Sequence, residues 1–380
     1  MFEKIKTHSD KVPSDPRFGS GPSLIPVKFL ERLAETGTHL LGTSHRKSPV
    51  KNIVKGIQEG LRSLLNVPKD YKIVLGNGGA TFLFDMISFG MVEKKALHFT
   101  CGEFSEKWFK ASSVIPWTET EKFSVPYGEG VTPRNDESSD LIAVTLNETS
   151  TGVMCLDLPE VGEKTLLAVD ATSGGGQLPC DISKTDIFFF SPQKVFASEG
   201  GLYVVILSPK AVERAMSLND ASQEKENPRF IPHIMNWKTA IDNGEKHQTY
   251  NTPAISTLFF LHEQVKEMAE LGFNKVFELA KRKSDLVYNW ALEKPYLEPY
   301  IKDQKFRSLT VATIDVDEKI EVDTLIKVLE KEKIVYGIDS YRKLGRNQFR
   351  IALFHNVSFS DLKKLTELLS ALIEESGALS

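Results

Sequence analysis

Along this chain apolar residues come either in short continuous runs or at helical spacing, and from about residue 50 onward the two kinds alternate. Tyr71–Leu75 reads as a short apolar strand running into the glycine turn Gly76-Asn77-Gly78-Gly79, and Ala80–Met91 follows as an apolar helix. Further strands are predicted at Leu141–Leu146, Thr165–Val169, Asp186–Phe190 and Leu202–Leu207. Their runs are continuous rather than alternating, as in strands buried on both faces of a mostly parallel sheet covered by helices. Residues 1–20 read instead as an irregular arm, because Pro13, Pro16 and Gly19 break any regular pattern.

The pattern changes after Pro253. Residues 255–293 are helical, with an interruption near Gly272, and a smaller mixed unit follows. It comprises a strand at Leu309–Val316, a helix at Val322–Lys333, a strand at Gln348–Phe354 and a last helix at about 359–375. That helix opens with the capping pattern Ser358-x-x-Asp361, and Leu362, Leu365, Leu369, Leu372 and Ile373 form its apolar stripe. A chain of 380 residues is too long for one ordinary core. The expected arrangement is a large α/β domain over residues 1–260, arm included, and a small C-terminal α+β domain over residues 261–380. No internal repeat is present.

Composition narrows the possibilities. The chain is 41% hydrophobic and 26% charged, with a net charge of -4 and a pI near 6.1. It therefore offers no electrostatic case for a nucleic-acid or membrane partner, although local cations can still receive a small anion. No run approaches the roughly 18 apolar residues of a membrane span. The first residues, Met1-Phe2-Glu3-Lys4-Ile5-Lys6, lack the apolar stretch of a secretory leader. Cys101, Cys155 and Cys180 are sparse and widely spaced, which suits a reducing compartment and suggests no metal site. A cytoplasmic location is expected.

Two charged residues close apolar strands. Asp170 ends Thr165-Leu-Leu-Ala-Val-Asp, and Lys194 closes Asp186-Ile-Phe-Phe-Phe-Ser-Pro-Gln-Lys. Each could simply cap a strand in solvent. Together they match what pyridoxal phosphate requires: an amine to form a Schiff base and a carboxylate to pair with the pyridinium nitrogen. Opposite charges about 4 Å apart gain on the order of 4 kcal/mol at an effective dielectric near 20. That would raise the ring nitrogen's pKa by up to roughly three units. The turn Gly76-Asn77-Gly78-Gly79-Ala80-Thr81 runs from strand to helix, so backbone N–H groups face an anion such as the cofactor phosphate. It fits neither nucleotide-binding glycine pattern. Asn147-Glu148-Thr149-Ser150-Thr151-Gly152 follows another strand and is either an ordinary turn or the source of a hydroxyl for the cofactor's phenolic oxygen. Along Gln348–Phe354, Phe349, Ile351 and Leu353 share one face while Arg350 points to the other, toward either a structural partner or a substrate carboxylate. His45-Arg46 is either plain surface loop or part of an anion site.

The segments Gly78-Gly79-Ala80-Thr81, Asn147-Glu148-Thr149, Asp170-Ala171-Thr172-Ser173 and Ser191-Pro192-Gln193-Lys194 resemble those of class V aminotransferases. Gly42-Thr43-Ser44-His45-Arg46, Tyr250-Asn251-Thr252-Pro253 and Arg346-Asn347-Gln348-Phe349-Arg350 narrow the resemblance to the phosphoserine aminotransferase family, in the form typical of actinobacteria. The match runs in order over nearly the whole chain. It implies fold-type I and a homodimer with shared active sites. Lys194 would carry pyridoxal 5'-phosphate and move the proton, Asp170 would pair with its ring nitrogen, Thr149 would contact the phenolic oxygen and Phe104 would stack on the ring. Gly79, Ala80, Thr172 and Gln193 would hold the cofactor phosphate, with Asn251 and Thr252 reaching in from a second subunit, and Thr81 would also belong to the cofactor site. His45, Arg46, Tyr341 and Arg342 would read the substrate phosphate, and Arg350 the α-carboxylate. Better-known bacterial members carry tryptophan at the stacking position and a His-Arg pair where this chain has Tyr341-Arg342.

The implied reaction is L-glutamate plus 3-phosphohydroxypyruvate giving 2-oxoglutarate and O-phospho-L-serine, a step of serine biosynthesis, by a ping-pong route. A related phosphorylated substrate of pyridoxine synthesis belongs to the same expectation. Rival readings are a class V transaminase of serine or alanine, a class V lyase or desulfurase, and a regulator that binds the cofactor without catalysis. The first lacks a use for the clustered cations. A desulfurase needs a cysteine in a mobile C-terminal loop, and none follows Cys180.

Overall fold

A computed structural model describes residues 5–221 and 229–379. In chain order its strands are β1 Lys72–Asn77, β2 Lys95–Thr100, β3 Glu119–Ser124, β4 Leu141–Thr145, β5 Asn147–Glu148, β6 Val153–Met154, β7 Leu166–Asp170, β8 Ile187–Phe190, β9 Leu202–Leu207, β10 Leu297–Pro299, β11 Val311–Val316 and β12 Gln348–Ala352. The helices are α1 Val27–Glu35, α2 Ser48–Leu64, α3 Gly79–Gly90, α4 Glu103–Ser113, α5 Pro209–Ala221, α6 Trp237–Gly244, α7 Ile255–Leu271, α8 Phe273–Glu293, α9 Val322–Lys331 and α10 Phe359–Glu375.

Seven strands form one sheet in the order β1-β9-β8-β7-β4-β2-β3. The pairs β8–β7, β7–β4, β4–β2 and β2–β3 are parallel, and only β9 runs against its neighbours β8 and β1. The continuous apolar runs are explained by two-sided burial. In β7, Leu167 and Val169 belong to the core on one face, Leu166 and Ala168 to the core on the other, and all four are buried. The expected mostly parallel sheet is present, with helices over it. The pattern did not single out β3, Glu-Thr-Glu-Lys-Phe-Ser, because it is an edge strand exposed at nearly every position and needs no apolar face. Helix α2 was likewise not anticipated, although Val50, Ile53, Val54, Ile57, Leu61 and Leu64 bury one stripe of it.

The helical stretch after Pro253 is two helices, α7 and α8, divided at Gly272, whose φ of 80° suits glycine. Beyond it the antiparallel sheet β10-β11-β12 forms the small α+β unit with α9 and α10. All five predicted stripe residues of α10 are buried. Its cap is half the expected box: Ser358 Oγ accepts from the Asp361 N–H at 3.3 Å. The Asp361 carboxylate turns instead to the Ser14 N–H at 2.7 Å.

That bond belongs to the N-terminal arm, which is irregular yet firmly attached. Tyr336 N–H donates to the Pro16 carbonyl (2.7 Å), Phe18 N–H to the Tyr336 carbonyl (3.0 Å) and Ala352 N–H to the Phe18 carbonyl (3.0 Å). Ser23 N–H then reaches the Gln193 carbonyl at 2.7 Å. The arm thus crosses from the small sheet to the residue before Lys194. Among the described residues, no helix is long and apolar enough to cross a membrane, and no group of metal-ligating side chains is assembled.

Candidate active site

The carboxyl ends of β1, β2, β4, β7 and β8 lie on one edge of the large sheet, where open α/β folds bind ligands. A pocket opens there. It is lined by Gly79, Ala80, Thr81, Phe104, Thr149, Asp170, Thr172, Gln193 and Lys194, all expected from the sequence, and also by Gly78, Phe84, Asn147, Ser191 and Gly201. Five separate strand ends therefore converge on one cavity.

Neither Asp170 nor Lys194 caps its strand in solvent, since the two are only 3% and 9% exposed. Burial pushes the Lys194 amine down to about 7; the charge of Arg350 adds to the fall, while Asp170 and Glu148 oppose it. Near neutral pH such an amine is largely free to act as a nucleophile. Its Nζ donates to the Ser20 carbonyl at 2.6 Å and lies 5.9 Å from the centre of the Phe104 ring. Burial raises the Asp170 carboxyl to about 6, against bonds from Thr172 that lower it. The Thr172 N–H and Oγ–H reach Asp170 Oδ1 at 2.9 and 2.5 Å, so this hydroxyl, expected at the cofactor phosphate, is directed at Asp170.

At the other end of the pocket Gly78 and Gly79 have φ of 122° and 73° as the chain leaves β1 and begins α3. Their left-handed backbone turns the first amides of α3 toward the cavity, a position suited to an anion. Ser191 Oγ, 2.5 Å from Gln193 Oε1, donates there or to the Leu202 carbonyl. Thr149 Oγ donates to Ser173 Oγ at 2.8 Å, one bond of a buried network with Asn147.

Arg350 stands apart from the lining but within electrostatic reach of Lys194. It is half-buried, its Nε has no hydrogen-bond partner, and no carboxylate lies within ion-pair distance among the described residues. No direct salt bridge holds Arg350, although the Asp339 carboxylate acts on it from farther away, and a half-buried cation with so loose a partner is placed to receive an anion from a ligand. Its guanidinium lies 5.4 Å from the Tyr341 ring, which meets the Phe104 ring edge-on at 5.9 Å. Arg342 is exposed beside Tyr341.

The remaining expected residues lie outside this pocket. His45 Nδ1 and Thr252 Oγ are 3.2 Å apart, and Asn77 Nδ2 holds the Asn251 and Thr252 carbonyls at 3.4 and 3.0 Å. His45 is buried, with its Nε2 unpartnered and its pKa lowered by burial and by Arg46, whereas Arg46 is exposed. Within one chain these four residues form a separate cluster. Sequence reasoning missed Ser20, Gly21 and Glu148 as neighbours of Lys194. Glu148 sits inside a segment the sequence singles out, and its charge between two strand-end polar residues was the available signal. Nothing local marks Ser20, which acts through its backbone.

Residues 18–337 match the family described as Aminotransferase class-V, and the chain belongs to that family. Among proteins similar to it over nearly its whole length are phosphoserine aminotransferases. That of Corynebacterium glutamicum is 42% identical over 369 residues, covering 96% of each chain. That of Nocardioides is 40% identical over 98% of this chain and all of its own. In fold, the chain resembles a phosphoserine aminotransferase from Cytophaga hutchinsonii with a TM-score of 0.83 at 24% identity, over 94% of this chain and 98% of that one. An alanine–glyoxylate aminotransferase from Nostoc follows with 0.77 at 17% identity, over 97% and 96%.

Proposed function

We propose that this aminotransferase moves the amino group of L-glutamate to 3-phosphohydroxypyruvate, giving 2-oxoglutarate and O-phospho-L-serine, with pyridoxal 5'-phosphate carried on Lys194. The observation that carries the reading is the burial of Lys194 and Asp170 in one pocket, each with a pKa moved toward neutrality. Such pairs mark catalytic sites. The residues fit the cofactor: a reactive amine, a carboxylate, an aromatic face at Phe104 and a helix start for a phosphate. When bound, the cofactor supplies an aldehyde that accepts the amine and a ring that acts as an electron sink. Lys194 Nζ would hold it and serve as the base that moves the proton, and Asp170 would keep its ring nitrogen charged. Thr149 would exchange its bond to Ser173 Oγ for one to the phenolic oxygen, and Gly79, Ala80 and Gln193 would hold the phosphate with Thr81 beside them, while Thr172 serves the site by orienting Asp170.

Arg350 takes the α-carboxylate, which would satisfy its unpartnered Nε. The substrate's phosphate falls to Arg342, with Tyr341, His45 and Arg46. The names of the relatives at 38–42% identity support this substrate. We place Asn251 and Thr252, with His45 and Arg46, in the site of a second copy, because within their own chain they lie outside the pocket; the enzyme is then a cytoplasmic homodimer. The division between its domains is placed near residue 260.

Single-turnover half-reactions with phosphoserine, glutamate, serine and alanine test the substrate. Phosphoserine and glutamate should react fastest. Arg342→Ala should lower efficiency with phosphoserine by roughly ten- to a hundredfold, because hydrogen bonds to charged groups are worth about 1.5–3 kcal/mol. Glutamate, without a phosphate, should lose less, whereas Arg350→Ala should impair both. Equal losses for both substrates in Arg342→Ala would remove Arg342 as the phosphate reader, and a preference for alanine or serine would replace the proposed substrate.

A further inference from the structure

Between Asn147 and Thr149, which both line the pocket, Glu148 is completely buried. Five donors lie within 3.3 Å of its carboxylate. They are the Phe104 N–H (3.2 Å), the Ser105 N–H and Oγ–H (both 2.9 Å), and the Ser150 N–H (3.3 Å) and Oγ–H (2.7 Å). No lysine, arginine or histidine forms an ion pair with it among the described residues. Two of the donors are first-turn amides of α4, groups that a helix cannot satisfy from within. A capping side chain at the preceding residue normally does so, but here that residue is Gly102, which has none. The space is already taken: a Cβ on Gly102 would stand 2.3 Å from Glu148 Cγ. The helix start is therefore capped from another strand, by a full negative charge placed where the helix dipole favours one.

We infer that Glu148 is a positioning residue for the cofactor: it anchors the first turn of α4 and thereby holds Phe104 over the amine of Lys194. Phe104 is the second residue of that turn, and its own N–H is one of the anchored groups. The rest of the turn is tied down in the same place. Glu103 N–H donates to Ser150 Oγ at 3.0 Å, and the Glu103 carboxylate pairs with Lys343 at 2.6 Å. Loss of the anchor frees the ring to leave the position where it would cover a cofactor.

The inference rests on the proposed use of pyridoxal phosphate and is tested by binding rather than turnover. Cofactor-free wild type, Glu148→Gln, Phe104→Ala and the double variant are titrated with pyridoxal phosphate, following the absorbance of the lysine-bound form. Glu148→Gln should weaken binding about tenfold, or about 1.4 kcal/mol. In the Phe104→Ala background the same change should cost no more than about twofold, since residues acting through one another are not additive. Losses that multiply, or unchanged affinity in Glu148→Gln, overturn the inference. A wild type that takes up no pyridoxal phosphate overturns the cofactor reading instead. If Glu148→Gln does not fold, Ser150→Ala removes the Ser150 hydroxyl and enters the same cycle, with a loss of about two- to threefold expected to vanish beside Phe104→Ala.

Discussion

Lys194 is a residue at odds with its surroundings, and the conflict is measurable. An amine whose ordinary pKa is 10.5 is held near 7, so folding is penalised whenever the unfolded chain carries a proton that the folded site resists. The penalty is absent above about 10.5, grows as pH falls, and is complete below about 7. Lys194→Met should therefore stabilise the cofactor-free protein at pH 7 and raise its melting temperature, the gain in free energy being on the order of a few kcal/mol before the lost Ser20 bond is subtracted. The gain should shrink steadily as the buffer is taken from pH 7 toward 10. Calorimetry of the two proteins across that range checks both points, and a gain independent of pH would show that packing rather than charge was relieved. The same conflict made Lys194 and Asp170 legible in the sequence: each is a charge placed directly after a run that must be buried. Ser20 had no such mark, because a carbonyl is common to every residue.

At the scale of elements, legibility followed burial only in part, since α2 and β2 are buried over much of their length and were still not anticipated. Strands β4, β7, β8 and β9 were visible because both faces are covered, and α10 because its stripe is regular. Strand β3 offered no such pattern, since an exposed edge asks nothing of its side chains. The arm was read as irregular, and it is, but its hydrogen bonds to Tyr336, Ala352 and Gln193 come from residues far away in sequence. One position in it bears directly on the lysine. A Cβ at Gly21 would stand 1.8 Å from Lys194 Nζ and 2.9 Å from Cε. The far end of a lysine is flexible, so Gly21→Ala should displace the amine rather than unfold the protein. Displacement on the order of 1 Å can cost about a hundredfold in rate. Stopped-flow half-reactions should show a loss of that order, with a melting temperature close to wild type; a wild-type rate would mean that the amine finds an equivalent position.

For the whole molecule, the separation of His45, Asn251 and Thr252 from their own pocket gives the proposed dimer a functional test. Lys194→Ala and Asn251→Ala proteins, each defective, should regain activity when unfolded and refolded together, because one site in each mixed dimer then has both its lysine and its asparagine. Activity that stays at the sum of the two variants, or a monomer in sedimentation at micromolar concentration, would refute the shared site. The likeness of segments across the whole chain made the family legible, whereas the pairing of distant pieces was not, because no local pattern records it. The arm is the extreme case. Phe18 leaves the ribosome well before its partners Tyr336 and Ala352 have been added to the chain. Ser20 cannot take its place over Lys194 by these bonds until Ala352 has emerged. A nascent chain can thus build its large sheet early, but it must wait for the β10-β11-β12 unit before the Lys194 amine is covered, so the pocket is completed only after the sheet that carries it.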